Sequence, residues 1–128
     1  MDVAANNEET NYARGVRAEE EAARYLAAQG YAILRQRYKT KFGEIDLIVQ
    51  KDNLLCFVEV KLRGNIAEAL ESITSRVQKR IENTALFFLS EHPDYMNCDM
   101  RFDVIAMRYA PDSTLEITHL DNAWEARS

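Results

Sequence analysis

Hydrophobic and polar positions follow two different periods along this chain, and each change of period marks an element. Over residues 13 to 29, Val16, Ala22, Ala23, Leu26 and Ala27 recur near helical spacing in a proline-free stretch rich in Ala, Glu, Arg and Leu. This predicts a helix with one packed face. Gly30 follows, where a left-handed residue would close the helix. Tyr31 to Leu34 is a short apolar run rich in strand formers, and the basic stretch Arg35 to Lys41 reads as the turn after it. In residues 43 to 50, Ile45, Leu47 and Val49 fall on one face of an extended segment, with Glu44, Asp46, Ile48 and Gln50 on the other. Lys51 to Asn53 is a polar turn. Leu54 to Val58 is a nearly continuous apolar run, the mark of a strand covered on both sides, and it leads straight into Glu59, Val60 and Lys61. The two segments make a hairpin.

Residues 67 to 71 suit a single helical turn. From Ser75 to Leu89 the helical period returns, with Val77, Ile81, Thr84, Ala85, Phe88 and Leu89 inward and Thr74 or Ser75 as N-cap. His92, Pro93 and Asp94 break the pattern. Two further strands follow, Met100 to Tyr109 and Leu115 to Leu120, joined by a turn at residues 111 to 113. The predicted order is αβββαββ, an α/β fold with a mixed β-sheet flanked by α-helices.

The 128 residues and 14.8 kDa fit one domain over residues 1–128, and 47% hydrophobic with 29% charged residues is the balance of a globular chain. Residues 1–12 and 123–128 are expected to fray. No window approaches the roughly 18 apolar residues of a membrane span, and the acidic, polar N-terminus lacks a secretory layout, so a cytoplasmic protein with no membrane partner is expected. Cys56 and Cys98 have no Cys or His partner at ligand spacing and read as ordinary thiols; His92 and His119 lack partners at catalytic spacing in the sequence and read as structural. The net charge of −5 conceals an asymmetry. Residues 35 to 80 hold ten Lys or Arg against six Asp or Glu, a balance of +4, while the remainder holds six against fifteen, a balance of −9. A basic middle between acidic ends keeps a polyanionic partner open.

The candidate chemistry lies in the hairpin. Asp46 and Glu59 are symmetrically placed about residues 52 and 53, so on paired antiparallel strands they become cross-strand neighbours. Two carboxylates side by side repel, and a hard divalent cation is the ordinary way to hold them while keeping water in its coordination sphere. Mg²⁺, or Mn²⁺, is therefore implied, with the Val60 carbonyl as a further ligand. Alternation puts Lys61 on the same face as Glu59, within reach of whatever the ion binds. That combination suits phosphodiester hydrolysis. Glu19 on the first helix is a third candidate ligand, which the sequence alone does not separate from Glu20 and Glu21. Arg37, Lys39 and Lys41, with Tyr38 among them as a stacking surface, and Arg63 beyond the hairpin, would hold a nucleic-acid backbone. Taken singly, Glu59 with Lys61 is only a surface ion pair worth about 0–1 kcal/mol. Their place at the end of an apolar strand argues for more, because charges there are costly without partners.

At these residues the chain resembles the bacterial YraN family, through Gly15 to Glu19, Ala22 to Leu26, Gly30 with Tyr31, Gly43 to Ile48, Phe57 to Lys61 and Arg101 to Val104. That family is similar to the restriction-endonuclease-like PD-(D/E)xK nucleases and to archaeal Holliday-junction resolvases. The resemblance implies a restriction-endonuclease-like core, with Asp46, Glu59 and Lys61 as the catalytic set, Glu19 as the helix-borne metal ligand and Glu44 supporting it from behind. It also implies a Mg²⁺-dependent endonuclease acting on DNA ahead of RNA, with structured or branched DNA as a substrate. Two positions depart from the family pattern: Arg37 stands where Asn is usual, and Val77 where Lys is frequent, with Lys79 or Arg80 as replacements. Cutting both strands of a duplex would call for a homodimer. The alternatives are a catalytically silent nucleic-acid-binding accessory protein of the same fold, and an assembly module whose carboxylates only make ion pairs.

Overall fold

A computed structural model describes residues 10–126. The first helix, α1 (Asn11–Ala28), starts at Thr10, whose hydroxyl accepts the Ala13 N–H at 3.0 Å. It stops at Gly30, whose φ of +98° lets the N–H groups of Gly30 and Tyr31 reach back to the carbonyls of Ala27 and Leu26, both at 3.0 Å. Gly30→Ala is expected to cost about 1 kcal/mol of unfolding free energy, measured by urea titration, because a side chain is strained at that φ even though only the flexible Lys51 lies near.

The chain then forms β1 (Ala32–Thr40), β2 (Gly43–Lys51) and β3 (Leu54–Leu62), crosses over through α2 (Ile66–Glu71) and α3 (Ser75–Glu91), and ends in β4 (Asp99–Tyr109) and β5 (Leu115–Trp124). The strands lie in the order β1-β2-β3-β4-β5, antiparallel except for the central β3–β4 pair, which is parallel. This is the expected mixed sheet flanked by helices, the arrangement of a restriction-endonuclease-like core, with a second short helix in the crossover. Thr74 caps α3, its hydroxyl accepting from the Val77 N–H at 3.2 Å.

Helices cover both faces. Cys56, Val58 and Val60 of β3 pack with Ala18, Ala22 and Leu26 of α1, whereas Leu55 and Phe57 pack with Ile81, Ala85 and Phe88 of α3. A strand buried on both sides needs apolar residues in succession, which explains the run from Leu54 to Val58. Among the described residues no helix is long and apolar enough to cross a membrane.

Four expectations need correction. The basic stretch Arg35 to Lys41 is not a turn: β1 continues through it to Thr40, and its charges suit an edge strand that must not pair with other chains. Ile45 does not share a face with Leu47 and Val49; those two pack towards α1, while Ile45 joins Ile48 against α3. The alternation of β2 breaks at Asp46, which the β1–β2 ladder skips together with Arg37 without a change of register, Arg37 taking a φ of +53°. Ala123 and Trp124 are not frayed, since the Trp124 ring stacks on Phe102 at 5.0 Å and its indole N–H donates to Glu82 at 3.0 Å. Asn11 and Tyr12 likewise belong to α1. Of the other terminal positions expected to fray, Thr10 caps α1, Glu125 and Ala126 follow β5 outside any element, and 1–9 and 127–128 lie outside the described residues. His119 has a partner after all, as its Nε2 lies 2.8 Å from the buried Asp103.

Candidate active site

The site forms where β2 leaves β3. The β2–β3 ladder runs from Lys51 paired with Leu54 to Leu47 paired with Val58, and no further. Beyond it the β1–β2 hairpin turns away, keeping its own pairing from Tyr38 with Ile45 to Thr40 with Gly43. At the fork the Asp46 side chain takes over the missing ladder contact, its Oδ2 accepting the Val60 N–H at 2.8 Å. The diverging tip is seated close under α3 because Gly43 has no side chain; a Cβ there would stand 3.2 Å from Thr84 Oγ1 and 3.6 Å from the Arg80 carbonyl.

This geometry brings three carboxylates close together. Asp46 acts by its charge on both Glu59 of β3 and Glu19 of α1. The Glu59 side chain is only 10% exposed and that of Glu19 18%. Burial, and after it the charge of Asp46, pushes the Glu59 carboxyl up to about 8. The same two causes lift Glu19 to about 7, with Arg37 opposing them. Asp46 is also raised by burial, against the lowering effect of the Val60 amide and Lys61. Lys61 Nζ stands 3.6 Å from Glu59 Oε2. Arg37 Nε lies 3.6 Å from Glu19 and 3.7 Å from Glu44, so Glu44 is tied to the group through that guanidinium.

One oxygen of Glu19 and one of Glu59 are buried without a hydrogen-bond partner. Buried carboxylate oxygens left over in this way are what a hard cation would satisfy. Among the described residues no group of three His, Cys, Asp or Glu side chains is placed to hold a metal ion. Asp46 and Glu59 with the Val60 carbonyl would instead be an open set that leaves most positions to water, as suits Mg²⁺.

The other residues singled out by sequence divide into two groups. Arg80 joins Glu44, Glu59, Val77 and Ile81 around a cleft of about 170 Å³ on the α3 side. Arg63 joins Glu19, Val60 and Lys61 around a larger cleft of about 520 Å³. Lys39 is exposed and pairs with Glu44 across the hairpin, and Lys41 sits over the Phe42 ring at 5.3 Å. Tyr38 turns into the core, edge-on to Phe88 at 5.4 Å, so it is not part of the group. Lys79 lines a separate apolar cleft beside Trp124. Sequence reasoning missed Arg14 and Tyr109, which line the larger cleft with the guanidinium over the ring at 5.5 Å. They are 95 positions apart in the chain, and no local pattern joins them.

Comparison with known proteins agrees with the resemblance carried by the motifs. The chain is 46% identical over 112 residues to UPF0102 protein RPA0323 of Rhodopseudomonas palustris, covering 88% of this chain and 83% of that protein. It is 43% identical over 122 residues to a UPF0102 protein of Azorhizobium caulinodans, covering 95% and 90%. It is 47% identical over 96 residues to UPF0102 protein mlr4633 of Mesorhizobium japonicum, covering 75% and 77%. The family model described as "Uncharacterised protein family UPF0102" matches residues 18–107, which include Glu19, Asp46, Glu59, Lys61 and Asp103, and the chain belongs to that family.

Proposed function

We propose that this protein is a metal-dependent nuclease that hydrolyses phosphodiester bonds in nucleic acid, DNA ahead of RNA. The observation that carries the proposal is the fork between β2 and β3, where the partly buried Asp46 acts by its charge on the buried Glu59 and an oxygen of Glu59 has no hydrogen-bond partner. Folding forces together groups that repel, an arrangement to expect where a cation completes the site.

Asp46 and Glu59 would hold the ion, with the Val60 carbonyl beside them and Glu19 of α1 close by. Bound there, Mg²⁺ or Mn²⁺ would polarise a phosphoryl oxygen and lower the pKa of water. The Val60 N–H fixes the Asp46 carboxylate before any ligand arrives, which removes an ordering cost. The Lys61 ammonium, paired with Glu59 at 3.6 Å, is placed to balance negative charge growing on the phosphate oxygens. Arg37 and Glu44 hold Glu19 in position.

The test is cleavage of linear, nicked and branched DNA and of structured RNA, with Mg²⁺ or Mn²⁺. Cleavage that needs the metal and is absent in Asp46→Asn and Lys61→Met is the expected result. No metal-dependent cleavage of any of these substrates overturns the proposal. Salt-sensitive binding without turnover would then identify an accessory binder of the same fold.

A further inference from the structure

We infer that the cleft beneath the N-terminal end of α1 receives an unpaired nucleic-acid strand, stacking a base at Tyr109 and Arg14, so that single-stranded segments are the preferred substrate. The inference rests on the nucleic-acid part of the reading above and names the form of the polymer.

The first support is charge. The cleft presents Arg14, Lys61 and Arg63 with Glu19 as its one carboxylate, although the chain as a whole carries −5. A local cationic surface on an acidic protein selects for a polyanion at that place and repels it elsewhere.

The second is shape. The cleft measures about 520 Å³, the size of a small-molecule site and enough for one or two nucleotides. Glu19, Val60 and Lys61 are part of its lining, so Glu19 links it to the carboxylate group, while Glu59 lies on the smaller cleft at the α3 side. The Glu19 side chain is recessed, at 18% exposure. Phosphates of a double helix lie on a stiff convex surface, and bringing one into a recess means bending or opening the duplex at a cost of several kcal/mol, about 1–6 for a smooth bend. A single strand bends into the recess without that cost.

The third is the aromatic surface. Tyr109 ends β4, partly buried, with the exposed Arg14 guanidinium 5.5 Å from its ring centre. A tyrosine and a guanidinium plane make a platform for any base, whatever its identity, because every base has a π face. Pairing in a duplex would deny the platform that face.

The experiment is fluorescence anisotropy of the full chain in EDTA, with a labelled DNA strand of about 12 nucleotides and the same strand annealed to its complement. Tighter binding of the single strand is expected, weakened roughly tenfold by Arg14→Gln and by Tyr109→Leu. Arg14→Gln is the safer variant for folding, since it removes an exposed cation from the first turn of a helix, where cations are unfavourable. Equal binding of the duplex, or wild-type binding of the single strand by Arg14→Gln, overturns the inference. Metal-dependent cleavage that uses duplex as readily as single strand overturns it too, while leaving the nuclease reading intact. Arg14-dependent binding of the single strand without cleavage of any substrate supports the cleft assignment and sinks the nuclease reading.

Discussion

In EDTA near pH 8, Glu59→Gln is expected to be more stable than the natural protein by about 3 kcal/mol, and the advantage should vanish near pH 4, below the unfolded value. The reason is the fork. Burial first, and the Asp46 charge second, raise the Glu59 carboxyl from an ordinary 4.5 to about 8. Between those values the folded state holds a proton that the unfolded chain has released, so unfolding free energy falls as pH rises through the window. Glu19, lifted to about 7 chiefly by its own burial, adds a smaller change of the same sign. The charges facing Glu59 are Asp46 and Lys61, with Glu19, Glu44 and Arg37 around them and Arg80 across the smaller cleft. A glutamine keeps the shape and removes both the desolvated charge and the repulsion. Urea titrations at the two pH values measure the effect. Adding Mn²⁺ should reverse the order, stabilising the natural protein and leaving Glu59→Gln nearly unchanged. A natural protein as stable as the variant near pH 8 without metal would mean that the carboxylates are not in conflict.

Such a conflict is also why the pair was legible in the sequence while much around it was not. Asp46 and Glu59 could be placed opposite each other by counting outward from Asp52 and Asn53, because a tight turn leaves one register available, although the ladder stops at Leu47 and Val58 and leaves the two unpaired. The β3 run and the capped α3 were legible for a similar reason, each being set by local burial or local hydrogen bonds. Where the structure departs from expectation, a distant contact has overridden the local pattern. Arg37 looks like a turn residue, yet it lies in β1 with a φ of +53°, held by Glu19 and Glu44. Ile45 changes face where the β1–β2 ladder skips Arg37 and Asp46 without changing register. Trp124 looks like part of a loose tail until Phe102 and Glu82 are beside it. The cleft of Arg14 and Tyr109 joins the two ends of the chain's folded length and leaves no periodic trace.

Asp103 shows the opposite use of a buried carboxylate. Asp103→Asn is expected to lose about 3–5 kcal/mol of unfolding free energy near pH 7, the cost of breaking a buried charge pair by removing one side. Asp103 is fully buried, and both of its oxygens are occupied. Oδ1 accepts from Arg101 Nε at 2.9 Å and the Asn122 amide at 3.0 Å. Oδ2 receives Arg101 Nη2 at 2.9 Å and lies 2.8 Å from His119 Nε2. Burial by itself would raise this carboxyl, but the contact with His119, then those from Arg101 and Asn122, hold it below the usual 3.8. Its contribution is therefore present above 3.8 and lost as the pH falls below that, through the lowered value of the folded state. The asparagine can serve some of these donors but leaves the Arg101 guanidinium, tethered also to Tyr31 at 3.0 Å, without its counter-charge. Urea unfolding measures the loss; a cost below about 1 kcal/mol would show that the network is dispensable. Replacing the pair together, as Arg101→Met with Asp103→Leu, should recover a large part of it, since apolar residues of similar volume often match a buried ion pair in stability. Neutralising one buried acid is thus expected to stabilise the fold and neutralising the other to damage it. The difference follows from whether the protein itself supplies the partners, as it does for Asp103, or leaves an oxygen unsatisfied, as it does at Glu59.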